Sequence, residues 1–205
     1  CIGFHQNNPY HCFDVYDHIV HALGNYSGKD LEVKIALLFH DIGKPWCYTE
    51  DGQGVGHFTG HWEMSRYTAG RIMRRLRFGN KMVEAVKELI FYHDIHLECT
   101  PKSVRCWLNR IGEHRLRQLL DVKKADLLAQ APDKSAPSLR ELESFSTMLN
   151  NVLAEKQCYS LQGLAINGRD LVAIGIPQGE MLGEILEKLL DEVIDGELEN
   201  QRELL

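Results

Sequence analysis

Leu37-Leu38-Phe39-His40-Asp41-Ile42-Gly43-Lys44-Pro45 is the stretch on which the reading turns. An apolar helical run ends by setting an imidazole beside a carboxylate, and a glycine and a lysine follow at once. Burying His40 and Asp41 next to Leu37, Leu38 and Phe39 is costly unless something pairs with them. Both are hard-to-borderline metal ligands, so a metal ion is the most economical partner. A His-Asp pair alone is common by chance, and the remaining ligands must come from elsewhere in the chain.

Working outward, Asn8 and Pro9 predict a helix over residues 9–23, with Asn8 as its cap and His11, Val15, His18, Ile19 and Ala22 on one broad face. Asp30 caps a second helix over 31–41, with Ile35, Leu38 and Phe39 as core stripe. Gly43 is its stop, and Pro45 blocks resumption. Residues 46–60 are glycine-rich and read as a long irregular loop, a kind that is often functional. A third helix over 61–78 carries Arg66, Arg71, Arg74, Arg75 and Arg77, with Ile72, Met73 and Leu76 as its apolar stripe. A fourth, over 81–93, puts Met82, Val86, Leu89, Ile90 and His93 on one face.

Thr100-Pro101 opens the next helix, and Gly112 separates it from one over 113–130. There Leu116, Leu119, Leu120, Lys123, Asp126 and Leu127 form one stripe. Residues 131–137 read as a linker, and Ser138 with Glu141 as a capping box that starts a helix to Lys156. A short helix over 170–174 and an amphipathic one over 180–195, stopped by Gly196, complete the chain. The expected fold is all-α, a helical bundle over 1–131 followed by a C-terminal helical extension over 132–205.

The bulk properties bound the rest. A chain of 205 residues fits one large domain, or one domain with an appendage. A net charge of -6 argues against wholesale wrapping of nucleic acid and allows a local basic strip. Cys1, Cys12, Cys47, Cys99, Cys106 and Cys158 form no C-x-x-C pair and read as reduced thiols of a cytoplasmic protein. No run approaches the ~18–20 apolar residues of a membrane span. The non-Met start at Cys1 suggests a fragment of a longer protein.

On the predicted helices, polar residues stand where apolar ones are expected. These are His18 on the first, His40 and Asp41 at the end of the second, His61 opening the third, His93 ending the fourth, and Asp126 within a leucine stripe. Helices delivering His and Asp to one interior point are how bundle cores build metal sites. Taken singly, each has a plain alternative: a satisfied core histidine, or for Asp126 a partner for a helix N-terminus. His5, His11, His21, His96 and His114 read as ordinary residues, and His57 and Asp94 as groups facing a substrate or the ligands.

The order His18, His40-Asp41, Asp126 resembles the HD-domain superfamily of metal-dependent phosphohydrolases, with its H…HD…D pattern. Phe39-His40-Asp41-Ile42-Gly43-Lys44 is similar to that family's H-D-x-G-K box, and Phe58-Thr59-Gly60-His61-Trp62-Glu63 to its F-x-G-H-E stretch. Trp62 departs from that pattern by separating His61 from Glu63. The resemblance covers about residues 8–130. It implies that His18, His40, Asp41 and Asp126 hold a first divalent metal, and that His61 and His93 complete a second site bridged by Asp41. The donor set suits Mn, Fe, Ni, Co or Zn, with Mg if waters fill the shell.

A second resemblance rests on Gln6-Asn7-Asn8-Pro9-Tyr10-His11, Ile166-Asn167-Gly168-Arg169-Asp170-Leu171, Gly183-Glu184-Ile185-Leu186 and Gly196-Glu197-Leu198-Glu199-Asn200. These look like the C-terminal part of bacterial tRNA nucleotidyltransferases and related poly(A) polymerases. Their head carries a G-S motif and a D-x-D pair that are absent here, so this chain alone is not expected to polymerise nucleotides. An upstream nucleotidyltransferase domain is implied if the chain is a fragment; the rival reading is a stand-alone HD protein with a similar tail.

The expected activity is metal-dependent hydrolysis of a phosphomonoester, or of a 2′,3′-cyclic phosphodiester, on a nucleotide or RNA 3′ end. Asp41 and Lys44 are the catalytic candidates, with Lys44 offsetting charge on the phosphate. Lys44, His57, Arg74 and Arg75 are the substrate-binding candidates, and Arg105 and Arg110 would extend the basic strip. The alternative is a non-catalytic, tRNA-binding body of a CCA-adding enzyme or poly(A) polymerase.

Overall fold

The computed structural model describes residues 1–205; its regular structure is helical apart from one short hairpin, with irregular segments between the helices. The helices are α1 (Val15–Asn25), α2 (Leu31–Phe39), α3 (Lys44–Cys47), α4 (His61–Arg75), α5 (Asn80–Tyr92), α6 (Pro101–Leu127), α7 (Pro132–Ala154), α8 (Gly168–Ala173) and α9 (Glu180–Asp195). Strands β1 (Thr49–Glu50) and β2 (Gly56–His57) pair antiparallel, with Thr49 opposite His57. The all-α expectation holds. No helix is long and apolar enough to cross a membrane.

The chain forms two compact units, residues 1–96 with 114–143, and residues 97–113 with 144–205. In the first, α4 packs most extensively on α5, α5 also on α2, and α1 on α2. Val15, Ile19 and Ala22 of α1, Val33, Ala36 and Leu37 of α2, Met73 of α4, and Val86, Leu89 and Ile90 of α5 are buried. Asp30 caps α2 through the Glu32 N–H, and the Gln118 amide holds Asp30 and Glu32 from α6. The Arg115 guanidinium adds an ion pair to Glu32 at 2.7 Å. Together these anchor the start of the helix that delivers His40 and Asp41. In the second unit, Cys158, Leu190, Val193 and Ile194 form a core with Cys106, Leu164, Leu198 and Leu205 packed against it.

Several local expectations are corrected. α1 starts at Val15, because the Asp14 carboxylate accepts from the Asp17 N–H at 2.7 Å and outcompetes Asn8 as the cap. Asn8 instead closes a turn onto Tyr10 and His11. In α2, Leu37 is fully buried and Leu38 is 43% exposed, so the inner stripe runs through Val33, Ala36 and Leu37. Gly43 does not end the helical path: α3 resumes at Lys44, with Pro45 in its first turn where no N–H is needed. Leu76 is likewise exposed, and Ser65, Ala69 and Met73 make the inner face of α4.

The glycine-rich loop contains the hairpin, tightened by the Asp51 carboxylate accepting from the Gln53 and Val55 N–H groups. The 131–137 linker is the first part of α7. Its start is nucleated by Pro132, and Pro137 is tolerated inside it. The capping box that forms lies at Asn167 and Asp170, opening α8. The division predicted at Gly112 is present: φ 74 and ψ 163 break α6 there.

Candidate metal centre

Four imidazoles and two carboxylates meet inside the first unit. His18 comes from the inner face of α1, His40 and Asp41 from the turn after α2, and His61 from the first position of α4. His93 follows α5, and Asp126 lies in the last turn of α6. His18 and His40 are fully buried, and Asp41, His61 and His93 are at most 5% exposed. His18 Nε2 lies 2.8 Å from Asp126 Oδ1 and 3.3 Å from Asp41 Oδ2. His40 Nε2 is 3.3 Å from Asp41 Oδ2 and 3.5 Å from Asp126 Oδ1. On the other side of the same carboxylate, Asp41 Oδ1 faces His61 Nε2 at 3.3 Å and His93 Nε2 at 3.7 Å. Asp41 thus stands between two sets of imidazoles.

The tautomers follow from the opposite edges of the rings. His40 Nδ1 lies 2.7 Å from Leu37 O, His61 Nδ1 2.9 Å from Phe58 O, and His93 Nδ1 2.7 Å from Ile90 O. A carbonyl only accepts, so each Nδ1 carries the proton and each neutral ring presents an Nε2 lone pair inward. His18 Nδ1 has the same kind of partner in Ala129 O at 3.4 Å. Lone pairs then face lone pairs: His18 and His40 Nε2 are 3.3 Å apart, and His61 and His93 Nε2 3.2 Å. Asp41 is buried, and among the charged donors only the Lys44 ammonium reaches it, at 2.6 Å from Oδ2. Inward-facing nitrogens around two buried carboxylates call for more positive charge than Lys44 alone brings, from a bound cation or from protons on the rings.

The protonation tendencies carry the same demand. Burial disfavours the charged imidazolium of His40, but the Asp41 charge and hydrogen bonds to Asp126 and Asp41 outweigh it and raise its pKa to about 10. Burial likewise opposes ionisation of Asp41, while His40 and Lys44 hold it well below the usual carboxylate range. A divalent cation would satisfy these carboxylates without protonating the rings. Donor atoms of His18, His40 and Asp126 lie within 4.8 Å of one another, as do those of Asp41, His61 and His93. The residues therefore fit one or two ions.

Lys44 and His57 both line the open cavity of about 360 Å³ that leads to this cluster. The Lys44 ammonium is buried, and its donors already meet Asp41 Oδ2 at 2.6 Å, Gln6 Oε1 at 2.8 Å and His11 Nε2 at 3.1 Å. His57 sits at the exposed rim, paired with Asp51 at 3.0 Å. Arg74 and Arg75 are exposed in the last turn of α4 and do not line the cavity; Arg74 pairs with Glu84 at 2.9 Å. Arg105 does not extend a basic strip. Its guanidinium donates to Ile194 O and Gln157 Oε1 inside the second unit.

Sequence reasoning misses two residues of the site, Gln6 and His11. His11 also lies within ligand distance of His18 and Asp41. Burial, with the Lys44 and His18 charges, lowers its pKa to about 3, so it stays neutral and accepts from Lys44. The signal is present in the Gln6–His11 stretch, but nothing local says that it folds over Lys44. Gly43, a helix stop by its sequence context, serves instead as a contact point: a Cβ there would meet His61 O at 2.5 Å and Ser65 N at 2.6 Å. Its N–H donates to Ser65 Oγ at 2.8 Å, stitching the His40-Asp41 turn to the start of α4.

The sequence model of one family, tRNA nucleotidyltransferase domain 2, matches residues 53–205. Over 204 residues, 95% of the chain, the sequence is 29% identical to an A-adding tRNA nucleotidyltransferase of Deinococcus radiodurans, of which it covers 46%. Over 133 residues, 62% of the chain, it is 32% identical to a CC-adding tRNA nucleotidyltransferase of Thermus thermophilus, of which it covers 30%. The chain thus spans less than half the length of either relative. No solved structure matches it significantly.

Proposed function

The chain belongs to the tRNA nucleotidyltransferase domain 2 family, and from that premise we propose that it is an RNA-engaging body of a tRNA nucleotidyltransferase-like protein, recognising tRNA or an RNA 3′ end. The alignment with the A-adding relative along nearly the whole chain carries this reading. The sequence has neither a Gly-Ser pair nor a D-x-D pair, so nucleotide addition is not assigned to these residues. Arg71, Arg74, Arg75, Arg77 and Lys81 are exposed around the junction of α4 and α5 and would contact phosphates. The test is tRNA affinity as a function of salt. Each phosphate that an Arg74→Ala/Arg75→Ala variant no longer neutralises would flatten the log–log slope by about 0.7–0.9. An unchanged slope and affinity would remove those arginines from the interface.

A second reading, a metal-dependent phosphohydrolase of HD type, is favoured by the buried Asp41 carboxylate, which turns one oxygen to each pair of imidazole Nε2 atoms. His18, His40, Asp41 and Asp126 would hold one ion, and His61 and His93, sharing Asp41, a second. A bound divalent ion supplies Lewis acidity toward a phosphoryl oxygen. The chain's own part is to orient and to shield. The carbonyls of Leu37, Phe58 and Ile90 fix the imidazoles, and Lys44 fixes Asp41. Lys44 then acts through Asp41 and lies at the base of the cavity where a phosphate would enter. The test is metal analysis with an assay on 2′,3′-cyclic AMP. Asp41→Ala should lose both metal and turnover, and undiminished turnover in that variant would end this reading.

A further inference from the structure

Beside the cavity that reaches the metal cluster lies a second cleft of about 250 Å³, lined by Trp62, Phe91, Tyr92, Asp94 and Ile95. The two are continuous in their walls, because Trp62 and Asp94 line both. We propose that this cleft is a nucleobase subsite, in which Trp62 and its aromatic neighbours stack a base while the phosphate of the same nucleotide lies in the cavity before the His/Asp cluster. This rests on the reading that the cavity accepts a phosphate.

Three observations carry it. Trp62 is half-buried and packs edge-on against the His61 ring, with centroids 5.4 Å apart, so one indole joins the cleft to the cluster. Phe91 is held from elsewhere: the Arg66 guanidinium lies 4.8 Å from its ring centroid, and the Tyr92 ring meets it edge-on at 4.9 Å. The aromatic wall is therefore fixed before any ligand arrives, which lowers the cost of binding a flat ring. The one charged group in the cleft is the exposed Asp94 carboxylate. It can accept from an exocyclic amino group, the pairing by which carboxylates read cytosine N4. A ligand that fills both spaces is thus anionic at one end and planar, with N–H donors, at the other. That is a nucleoside monophosphate or a nucleotide at an RNA end.

The experiment is calorimetric titration of the metal-supplemented chain with cytidine monophosphate, ribose 5-phosphate and cytidine, alongside metal analysis. Cytidine monophosphate should bind about tenfold more tightly than ribose 5-phosphate, within the range for one base stacked on one aromatic ring. Trp62→Leu, which keeps an apolar side chain without a planar face, should abolish that preference by weakening cytidine monophosphate far more than ribose 5-phosphate. Trp62→Phe should largely restore it. Equal affinity for the two phosphates in the unaltered chain, or a preference that survives Trp62→Leu, overturns the subsite. If neither ribose 5-phosphate nor inorganic phosphate binds, the cavity reading fails by itself. Cytidine then decides: binding that is lost in Trp62→Leu sustains the base cleft, and no binding overturns it too.

Discussion

Replacing Gly43 by Ala should destabilise the chain by packing alone. Gly43 has φ -79 and ψ -16, which alanine adopts freely, so the substitution introduces no backbone strain. A Cβ, however, would stand 2.5 Å from His61 O, 2.6 Å from Ser65 N and 2.8 Å from Ser65 Oγ. The first two are backbone atoms in the first turn of α4, and no rotamer change removes them. Restoring ordinary contact distance needs a shift of about 1 Å. Overpacking of this kind costs about 1–3 kcal/mol, and loss of the Gly43 N–H bond to Ser65 Oγ adds about 1 kcal/mol. The smaller entropy of the unfolded alanine chain returns about 0.4–1 kcal/mol. The net is a loss of about 1–3 kcal/mol, or a Tm lower by about 3–10 °C for a chain of this size. Because the shift moves His61, affinity for divalent metal should fall as well.

Thermal unfolding followed by circular dichroism reads the first effect. Gly24→Ala is the control, since a Cβ on that α1 glycine meets nothing within 4 Å. It should stabilise by about 0.5–1 kcal/mol. If Gly43→Ala unfolds at or above the Tm of the unaltered chain, the close approach between the His40-Asp41 turn and α4 is not what Gly43 serves.

Divalent metal at about 100 times its Kd should stabilise the chain by about 2.7 kcal/mol, provided the unfolded chain does not bind it. A chelator should reverse the shift and Asp41→Asn should abolish it; a Tm indifferent to metal would deny the site a cation. Lys123 donates to His93 O and Ile95 O, both at 2.7 Å, closing the C-terminus of α5. Lys123→Met should cost about 1–3 kcal/mol and loosen His93, seen as a lower urea midpoint and weaker metal binding; an unchanged midpoint counts against this clamp. In the second unit, Arg105 donates twice to Ile194 O and once to Gln157 Oε1. Arg105→Ala should cost about 2–3 kcal/mol and raise hydrogen exchange in the last turn of α9, and undisturbed exchange there would exclude its role as a cap.

The helices that are legible in the sequence are those whose ends and faces are locally overdetermined. α2 has an Asp30 cap and a dense apolar run, α9 has strong periodicity and Gly196 in the left-handed region at φ 82, and Gly112 marks the break in α6. Where two local signals compete, pattern does not decide. Asn8 and Asp14 are both good caps, and Asp14 serves because the Phe4 carbonyl takes the Val15 N–H and Gly3 donates to the same carboxylate. At residues 131–137 the composition, Ala131-Pro132-Asp133-Lys134-Ser135-Ala136-Pro137, suggests a linker. A helix nonetheless forms there, with Ala131 itself tied to the Tyr10 carbonyl. Leu37 and Leu38 are neighbours of equal hydrophobicity, and only the placement of α5 fixes which one faces inward.

The residue types and their order along the chain, with His18, His40-Asp41, His61, His93 and Asp126 on otherwise apolar helical faces, are properties of the sequence alone. They are visible because a polar side chain on a buried face must have a partner. What only the tertiary structure decided is how those partners are shared. Asp41 turns one oxygen to each pair of imidazoles, backbone carbonyls set the tautomers, and Gln6 and His11 fold across the chain to enclose Lys44. The carbonyls that set the tautomers lie only three residues from their rings, but the contacts of Lys44 with Gln6 and His11 span 38 and 33 residues, and geometry at that separation is set by how the helices pack rather than by any local pattern.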